Sequence, residues 1–412
     1  MRLITPSMSA AGAPGPTTTE RGVCFSVGSL FYNPSSRIIR DLGVLALAVL
    51  GRERAQEGGA PLRVLDAMAG SGVRSLRYAT EVSNVGLVHA NELMKGDHPL
   101  SANLAPLISK GIVQLTAEDA IDMYFRARLS GDRYDFVDCD AFGTGQPHTA
   151  EAWWAVATGG LLYLCATDSR CTAGHNAHKV MSGYAAVAKY NPSCNEQGLR
   201  LLLGAAWREA AQRNLHARPI FSYFDRPSSS FRVMLQLTKP KRPPADAYES
   251  LSHVARCRAC GQLWKVPSVA LGDAAGALRP KCAAIDCGAA GVDVAGPMWS
   301  GPMHDETFVH AMEEEAAGRG WGDAEQLLRL MCEEARAEMG GALLFYHLGE
   351  VQRSLAARGL RQPPLAVLID ALRAAGHTAS PSHSERKAIK VSATLDQIVE
   401  VVAAAERQKE SK

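Results

Sequence analysis

The sequence lacks a strong charge of either sign: 44 Lys and Arg stand against 42 Asp and Glu, a formal net charge of +2. Such a chain has no global attraction for nucleic acid, so contacts of that kind must come from local basic patches. It also lacks a long hydrophobic run. The stretch "DLGVLALAVLG" near the start falls well short of the ~20 residues that span a bilayer. A secretory signal is absent too, since residues 1–20 are rich in Ser, Thr, Ala, Gly and Pro around no apolar core. Residues 1–22 therefore read as a disordered tail, or as a transit segment. Ten cysteines in 412 residues do not make the dense framework of small secreted domains, and no internal repeat stands out. What these absences leave is an intracellular, soluble protein of ordinary globular composition, long enough for two or three domains.

From Pro61 to about Leu237, apolar strand-like segments alternate with helical ones, the pattern of a parallel sheet covered on both faces. "LRVLDAMAG", "GLVHANEL", "IVQLTAEDA", "YDFVDCD" and "GGLLYLCATD" supply five strands. "SSSFRVMLQLT" closes the series, with "PIFSYFDRP" as its antiparallel partner. At "KPKRPP", Lys239 to Pro244, the composition turns to a basic, proline-rich linker. The expected organisation is an α/β, Rossmann-like domain over residues 23–240 and a smaller α+β domain over 241–412. Truncation after Lys239 should then spare whatever the first domain binds.

Three acids stand at the ends of successive strands. Asp66 precedes Gly70 and Gly72 in a strand-to-helix turn, where glycine lets the backbone approach a ligand closely. The third glycine of a dinucleotide fingerprint is missing, because Ser75 occupies its place, so a pyrophosphate is disfavoured. Glu92 follows the second strand and Asp119 the third, at the edge where such sheets bind ligands. A carboxylate there can accept ribose hydroxyls, the next an adenine amine, and Asp66 an ammonium group. A nucleoside with a cationic tail and no phosphate is S-adenosylmethionine. Taken alone, Glu92 also reads as a helix cap or surface charge, and the Gly turn as a plain tight turn. The fourth strand ends in Asp138-Cys-Asp140-Ala-Phe142-Gly. Asp140 could accept a proton from an exocyclic amine and orient it, while the Phe142 ring stacks on an extruded base. Asp138 shares a face with Asp140 by strand alternation. It either orients that carboxylate, raises its pKa, or sits in solvent.

On these motifs the chain resembles the tRNA (guanine-26-N2)-dimethyltransferase family over about Val23 to Ile398. "FYNPSSRIIRDLGVLAL", "DAMAGSGVRSLRYATE", "AKYNPSCNEQGLRLLLG" and "SSSFRVMLQL" are similar to its catalytic segments, and "GPMWSGPMHD" and "ASPSHSERKAIKVSATL" to its C-terminal ones. The resemblance implies methyl transfer from S-adenosylmethionine to guanine N2 in tRNA, once or twice. It places Phe31 as a second wall against the base, Arg40 near the cofactor carboxylate, and Arg74 in the cofactor loop. One departure is Ala141, where the family usually has proline in Asp-Pro-Phe-Gly; proline would stiffen that turn. Amino methylation of another nucleic-acid base remains an alternative, as does a non-catalytic RNA-binding paralogue.

Cys257-x2-Cys260 and Cys282-x4-Cys287 have the form of two thiolate pairs closing a tetrahedral zinc site, the alternative being four free thiols. His304, His310, His347 and His383 show no ligand-like pairing and read as structural or surface residues. The tail resembles the family's helical, winged-helix-like module. "HSERKAIK", His383 to Lys390, and "KPKR", Lys239 to Arg242, are the candidate tRNA phosphate contacts, against the plain reading of solvated charge runs.

Overall fold

The computed structural model describes residues 17–28, 32–94, 99–239, 247–268, 282, 287 and 291–410. Phe31, Lys241 and Arg242 lie outside them. Strands β1 (Thr17–Glu20) and β2 (Val23–Ser26) form an antiparallel hairpin, so regular structure begins inside the stretch expected to be a tail. The reason is ionic. Glu20 is buried and accepts hydrogen bonds from Arg40, Arg77 and Tyr32, partners that a polar, Thr-rich composition does not announce.

The chain continues through α1 (Arg37–Gln56), β3 (Leu62–Asp66), α2 (Val73–Glu81), β4 (Val85–Asn91), α3 (Leu100–Ser109), β5 (Val113–Thr116), α4 (Ala120–Ser130), β6 (Tyr134–Cys139), α5 (His148–Glu151), β7 (Val156–Ala166), α6 (Ala177–Tyr184), α7 (Cys194–Gln212), β8 (His216–Asp225) and β9 (Ser230–Thr238). Seven of these strands make one sheet in the order β5-β4-β3-β6-β7-β9-β8. β3 to β7 run parallel, while β9 is antiparallel to both β7 and β8. The hairpin expected of "PIFSYFDRP" and "SSSFRVMLQLT" is thus present. Strand order reverses between β3 and β6, and the carboxyl ends of strands beside such a switch point are where ligands bind. Alternation along the strands feeds two cores. Leu65 and Val137 face one side of the sheet, Val64 and Phe136 the other.

The remaining elements are β10 (Leu251–Cys257), β11 (Leu263–Pro267), β12 (Val292–Trp299), α8 (Glu306–Gly318), α9 (Gly322–Met339), β13 (Tyr346–His347), α10 (Leu348–Ala356), α11 (Leu365–Ala374), β14 (Ala379–Pro381), β15 (Ala388–Val391) and α12 (Leu395–Glu410). One small sheet is β11-β10-β12. The other is β13-β15-β14, which with α10 and α11 makes the winged-helix arrangement expected of the tail.

The second half is not an appended unit. α8 and α9 cover α1, and Phe308, Met312 and Leu328 share a core with Leu45 and Leu47. This explains "LGVLALAVL": a helix apolar all round is sandwiched rather than membrane-spanning, and no helix among the described residues is long and apolar enough to cross a membrane. On the opposite face, β12 packs on α7, and Met298 and Trp299 join Leu202 and Trp207. A buried ionic network seals the same seam. Lys390 Nζ lies 3.2 Å from Glu196 and 3.6 Å from Glu334, and also meets Glu338. Arg200 holds Glu196 at 2.8 Å and Glu338 at 2.9 Å. Lys390 is therefore no phosphate contact: its stem belongs to β15 and its charge is consumed inside the protein. His383 Nδ1 donates to Glu334 at 2.7 Å, and His304 meets the same carboxylate at 3.3 Å. Both side chains are buried, and they share one carboxylate, a pairing not expected from the sequence. Of the "HSERKAIK" patch only Arg386 and Lys387 are exposed cations.

Candidate active site

β3 and β6 lie side by side at the switch point, with Asp66 directly opposite Asp138 in the parallel register. Neither carboxylate is exposed. Asp66 Oδ2 accepts the Ser75 hydroxyl at 2.7 Å, so the serine in place of a third glycine holds the acid. Asp66 Oδ1 is buried without a partner among the described residues. Burial, then the neighbouring Asp138 charge, pushes the Asp66 carboxyl up to about 7. Asp138 accepts the Tyr78 hydroxyl at 2.7 Å and Arg74 Nη1 at 2.9 Å. Burial raises its pKa, with Arg74 opposing. Asp138 is thus neither in solvent nor in direct contact with Asp140.

Arg74 links the two. Its Nε donates to Asp140 Oδ2 at 3.1 Å, and Nη2 approaches the same oxygen at 3.0 Å. From the other side Arg232 Nη2, on β9, donates to Asp140 Oδ1 at 2.6 Å. Both guanidinium groups are buried and lie over the Tyr163 ring, whereas the Asp140 side chain is 33% exposed. Burial pushes the Asp140 carboxyl up, but Arg232 and Arg74 outweigh it and hold the group well below the usual carboxylate range. The direction is opposite to the rise considered for an Asp138 neighbour, because Asp140 is in direct contact with two guanidinium groups. The loop beyond is pinned: Gly143 N donates to Thr167 Oγ1, and Thr167 N to Gly143 O, each at 2.6 Å. Phe142, between them and Asp140, is 75% exposed.

Around the neighbouring strand ends, Glu92 Oε2 accepts Gly70 N at 2.8 Å and Oε1 accepts Met94 N at 3.0 Å. Among the described residues two of its roughly four acceptor sites are used. Gly70, at φ +52°, faces open space where a side chain would stand. Gly72 has φ +81°, and a Cβ there would lie 2.7 Å from Leu100, so only glycine permits this turn against α3. Asp119 is exposed and caps α4 through Oδ1, 2.8 Å from Ile121 N. An orphaned buried carboxylate oxygen, an open glycine cradle and the Glu92 carboxylate suit a cationic nucleoside.

Arg40 stands apart from this group. Its Nε donates to Glu20 Oε1 at 2.8 Å, Nη2 also reaches Glu20, and the same Nη2 donates to Asn33 O at 3.1 Å. Its charge is matched within the protein. Arg232 was missed from the sequence, although a lone arginine inside the apolar strand "FRVMLQL" demands a buried partner.

At the tip of β10 the four cysteine sulfurs Cys257, Cys260, Cys282 and Cys287 lie within 4.8 Å of one another. Cys257–Cys287 and Cys260–Cys282 are each 3.5 Å apart. A tetrahedral zinc with Zn–S near 2.3 Å sets sulfurs about 3.8 Å apart, so the donor set fits. His304, Glu334 and His383 are also close together, but the Lys390 ammonium already supplies the cation beside Glu334.

A sheet of this order with acids at the switch point defines a doubly wound α/β methyltransferase. The family comparison then names the group: a model described as N2,N2-dimethylguanosine tRNA methyltransferase matches residues 13–403, and the chain belongs to that family. Among curated relatives, the tRNA (guanine(26)-N(2))-dimethyltransferase of Thermococcus kodakarensis is 30% identical, over 90% of this chain and 93% of that one. The counterpart of the same name in Methanothermobacter thermautotrophicus is 29% identical over 91% and 92%. An Aquifex aeolicus relative, named for guanines 26 and 27, is 28% identical over 82% of each chain. The solved complex of Trm1 from Pyrococcus horikoshii with S-adenosyl-L-methionine shares the fold, with a TM-score of 0.72 at 22% identity, covering 94% of this chain and 99% of that one.

Proposed function

We propose that the protein transfers methyl groups from S-adenosylmethionine to the N2 amine of a guanine of the position-26 type in tRNA. The observation that carries this reading is Asp140, ionised and clamped between Arg74 and Arg232 beside the exposed Phe142 ring. The bound cofactor supplies an electrophilic sulfonium methyl group. Asp66 would meet its ammonium group, Glu92 its ribose hydroxyls and Asp119 its adenine amine, over the Gly70–Gly72 turn.

The guanine amine is a weak nucleophile, because its lone pair is delocalised into the ring. Asp140 would accept one N–H, orient the lone pair toward the donor methyl group and take the proton released when the amine replaces sulfur on that carbon, the sulfur keeping the bonding pair as a neutral thioether. Its low pKa keeps it ionised, at the expense of basicity; orientation is then its larger contribution. Phe142 stacks on the extruded base, and Phe31 is its second wall by resemblance. Arg74 acts through Asp140 as a positioning residue. Arg40 would have to exchange Glu20 for the cofactor carboxylate to act there. The four-cysteine cluster is assigned a structural zinc, tying β10 to the segment before β12.

The test is incubation of the full chain with labelled cofactor and unmodified tRNA, followed by nucleoside mass analysis. N2-methylated guanosine from the native chain, and none from Asp140→Asn with cofactor affinity retained, is the expected outcome. Label in another base, or in none, rejects the reading.

A further inference from the structure

Between β7 and α7 the chain runs from residue 169 to residue 195 without one acid, in a protein where 42 of 412 residues are acidic. The same stretch carries Arg170, Lys179 and Lys189, all exposed. None makes an ion pair within 4 Å among the described residues, whereas the exposed arginines Arg258, Arg329 and Arg336 each hold a carboxylate. Beside them Tyr190 is 67% exposed, with its ring 5.2 Å from that of His175 and tilted by 33°. Arg170 and Lys189, without a carboxylate partner among the described residues, Lys179, whose charge acts on Asp168 from beyond ion-pair distance, and an outward aromatic pair therefore share one short segment.

That segment is built onto the active-site loop. Tyr184, at the end of α6, donates to both Asp168 oxygens at 2.9 Å, next to the Thr167 that pins Gly143. A Cβ on Gly183 would stand 3.6 Å from Thr144 Oγ1, so α6 abuts the loop carrying Asp140 and Phe142. Gly174, at φ +94°, rests on the Lys189–Tyr190 backbone so closely that a Cβ would collide at 2.8 Å. The turn before α6 and the segment bearing Tyr190 are thereby one body.

We propose that this surface grips the RNA strand flanking the target guanosine: Arg170, Lys179 and Lys189 take phosphates, and Tyr190, backed by His175, stacks a neighbouring base. The proposal rests on the methyltransferase reading and extends it. A base can be drawn out to Asp140 only if the strand on either side is held close to the extrusion point. Cations track a backbone, and an aromatic face accepts any base. A protein partner would call instead for an apolar centre depleted of charge. The grip then lies on the catalytic half, beside the chemistry, rather than on the "HSERKAIK" patch of the tail.

The experiment uses the full chain and unmodified tRNA, with Lys179→Gln/Lys189→Gln and, separately, Tyr190→Leu. These side chains are exposed, so melting temperature and cofactor affinity are expected to stay at native values. The double variant should lower the dependence of log affinity on log salt by about one per lysine. Tyr190→Leu should weaken tRNA roughly tenfold with the salt slope unchanged. Both should raise KM for tRNA and leave kcat near native. If the native chain methylates tRNA while both variants keep native affinity and slope, the surface is not the grip, and a protein-binding role would give that same result. If the native chain neither binds nor methylates tRNA, the methyltransferase reading falls, and this inference with it.

Discussion

Asp140 is the catalytic residue of the proposed reaction, and two arginines hold it. Arg232 supplies one of them, through a 2.6 Å hydrogen bond from a buried strand. Replacing Arg232 with methionine keeps the volume and removes the charge. With one guanidinium gone, the Asp140 carboxyl should rise toward the ordinary range near 4. The variant's kcat should fall roughly tenfold at neutral pH because one of the two groups that orient the carboxylate is lost, and its acid limb should lie at higher pH than that of the native enzyme. A pH–rate profile of the two proteins checks this, and a uniform loss with the limb unmoved would assign Arg232 a packing role only. Asp66 presents the opposite case. Its folded pKa is raised to about 7 against 3.8 for the free group, so between those values the native state holds a proton that the unfolded state has released. Stability from this group therefore falls as pH rises from about 4 to 7. Asp66→Asn, which can still accept from Ser75, should raise the melting temperature by about 2–4 °C at pH 8 and by less at pH 5. The same change should weaken S-adenosylmethionine, because the ammonium group loses its counter-charge. Thermal scans at the two pH values and calorimetric titration separate the effects.

Among the elements, the sheet β11-β10-β12 depends on a cluster at one tip. Cys257 closes β10, Cys260 follows in the turn, and Cys282 and Cys287 precede β12. The segment between β11 and β12 is rich in Gly and Ala and brings little apolar surface of its own. Metal coordination would contribute folding free energy there. One zinc per chain is expected by elemental analysis of protein purified without chelator. Cys257→Ser should lose it and lower the melting temperature by several degrees, about 2–4 °C for each kcal/mol. The strands of the main sheet were legible from sequence because parallel strands buried on both faces read as continuous apolar runs. β1 was not, since what orders it is Glu20, bound by Arg40 and Arg77 from two helices further along.

For the molecule as a whole, the linker near residue 240 suggested two independent domains, yet both cores contain residues from both sides of it. Truncation after Lys239 would strip α8 and α9 from α1, strip β12 from α7, and leave Glu196 and Arg200 without Glu338 and Lys390. Removing one partner of a buried ionic network costs about 3–5 kcal/mol, before the exposed apolar faces are counted. The truncated chain is therefore expected to bind a hydrophobic dye, aggregate and lose cofactor binding, not to spare it. Gel filtration and dye fluorescence report the outcome; a monomeric, cofactor-binding fragment would show that the seam contributes little. The sequence by itself determined the alternating strands, the acids at their ends, the Asp140–Phe142 turn and the four cysteines, because each is a local pattern of residue type and spacing. Only the tertiary structure decided that Arg74 and Arg232 clamp Asp140, that Arg40 is matched by Glu20, and that Lys390 is consumed inside the fold. Those pairings join residues 20 to 194 positions apart, and a charge's partner is set by which elements pack together, not by its neighbours along the chain.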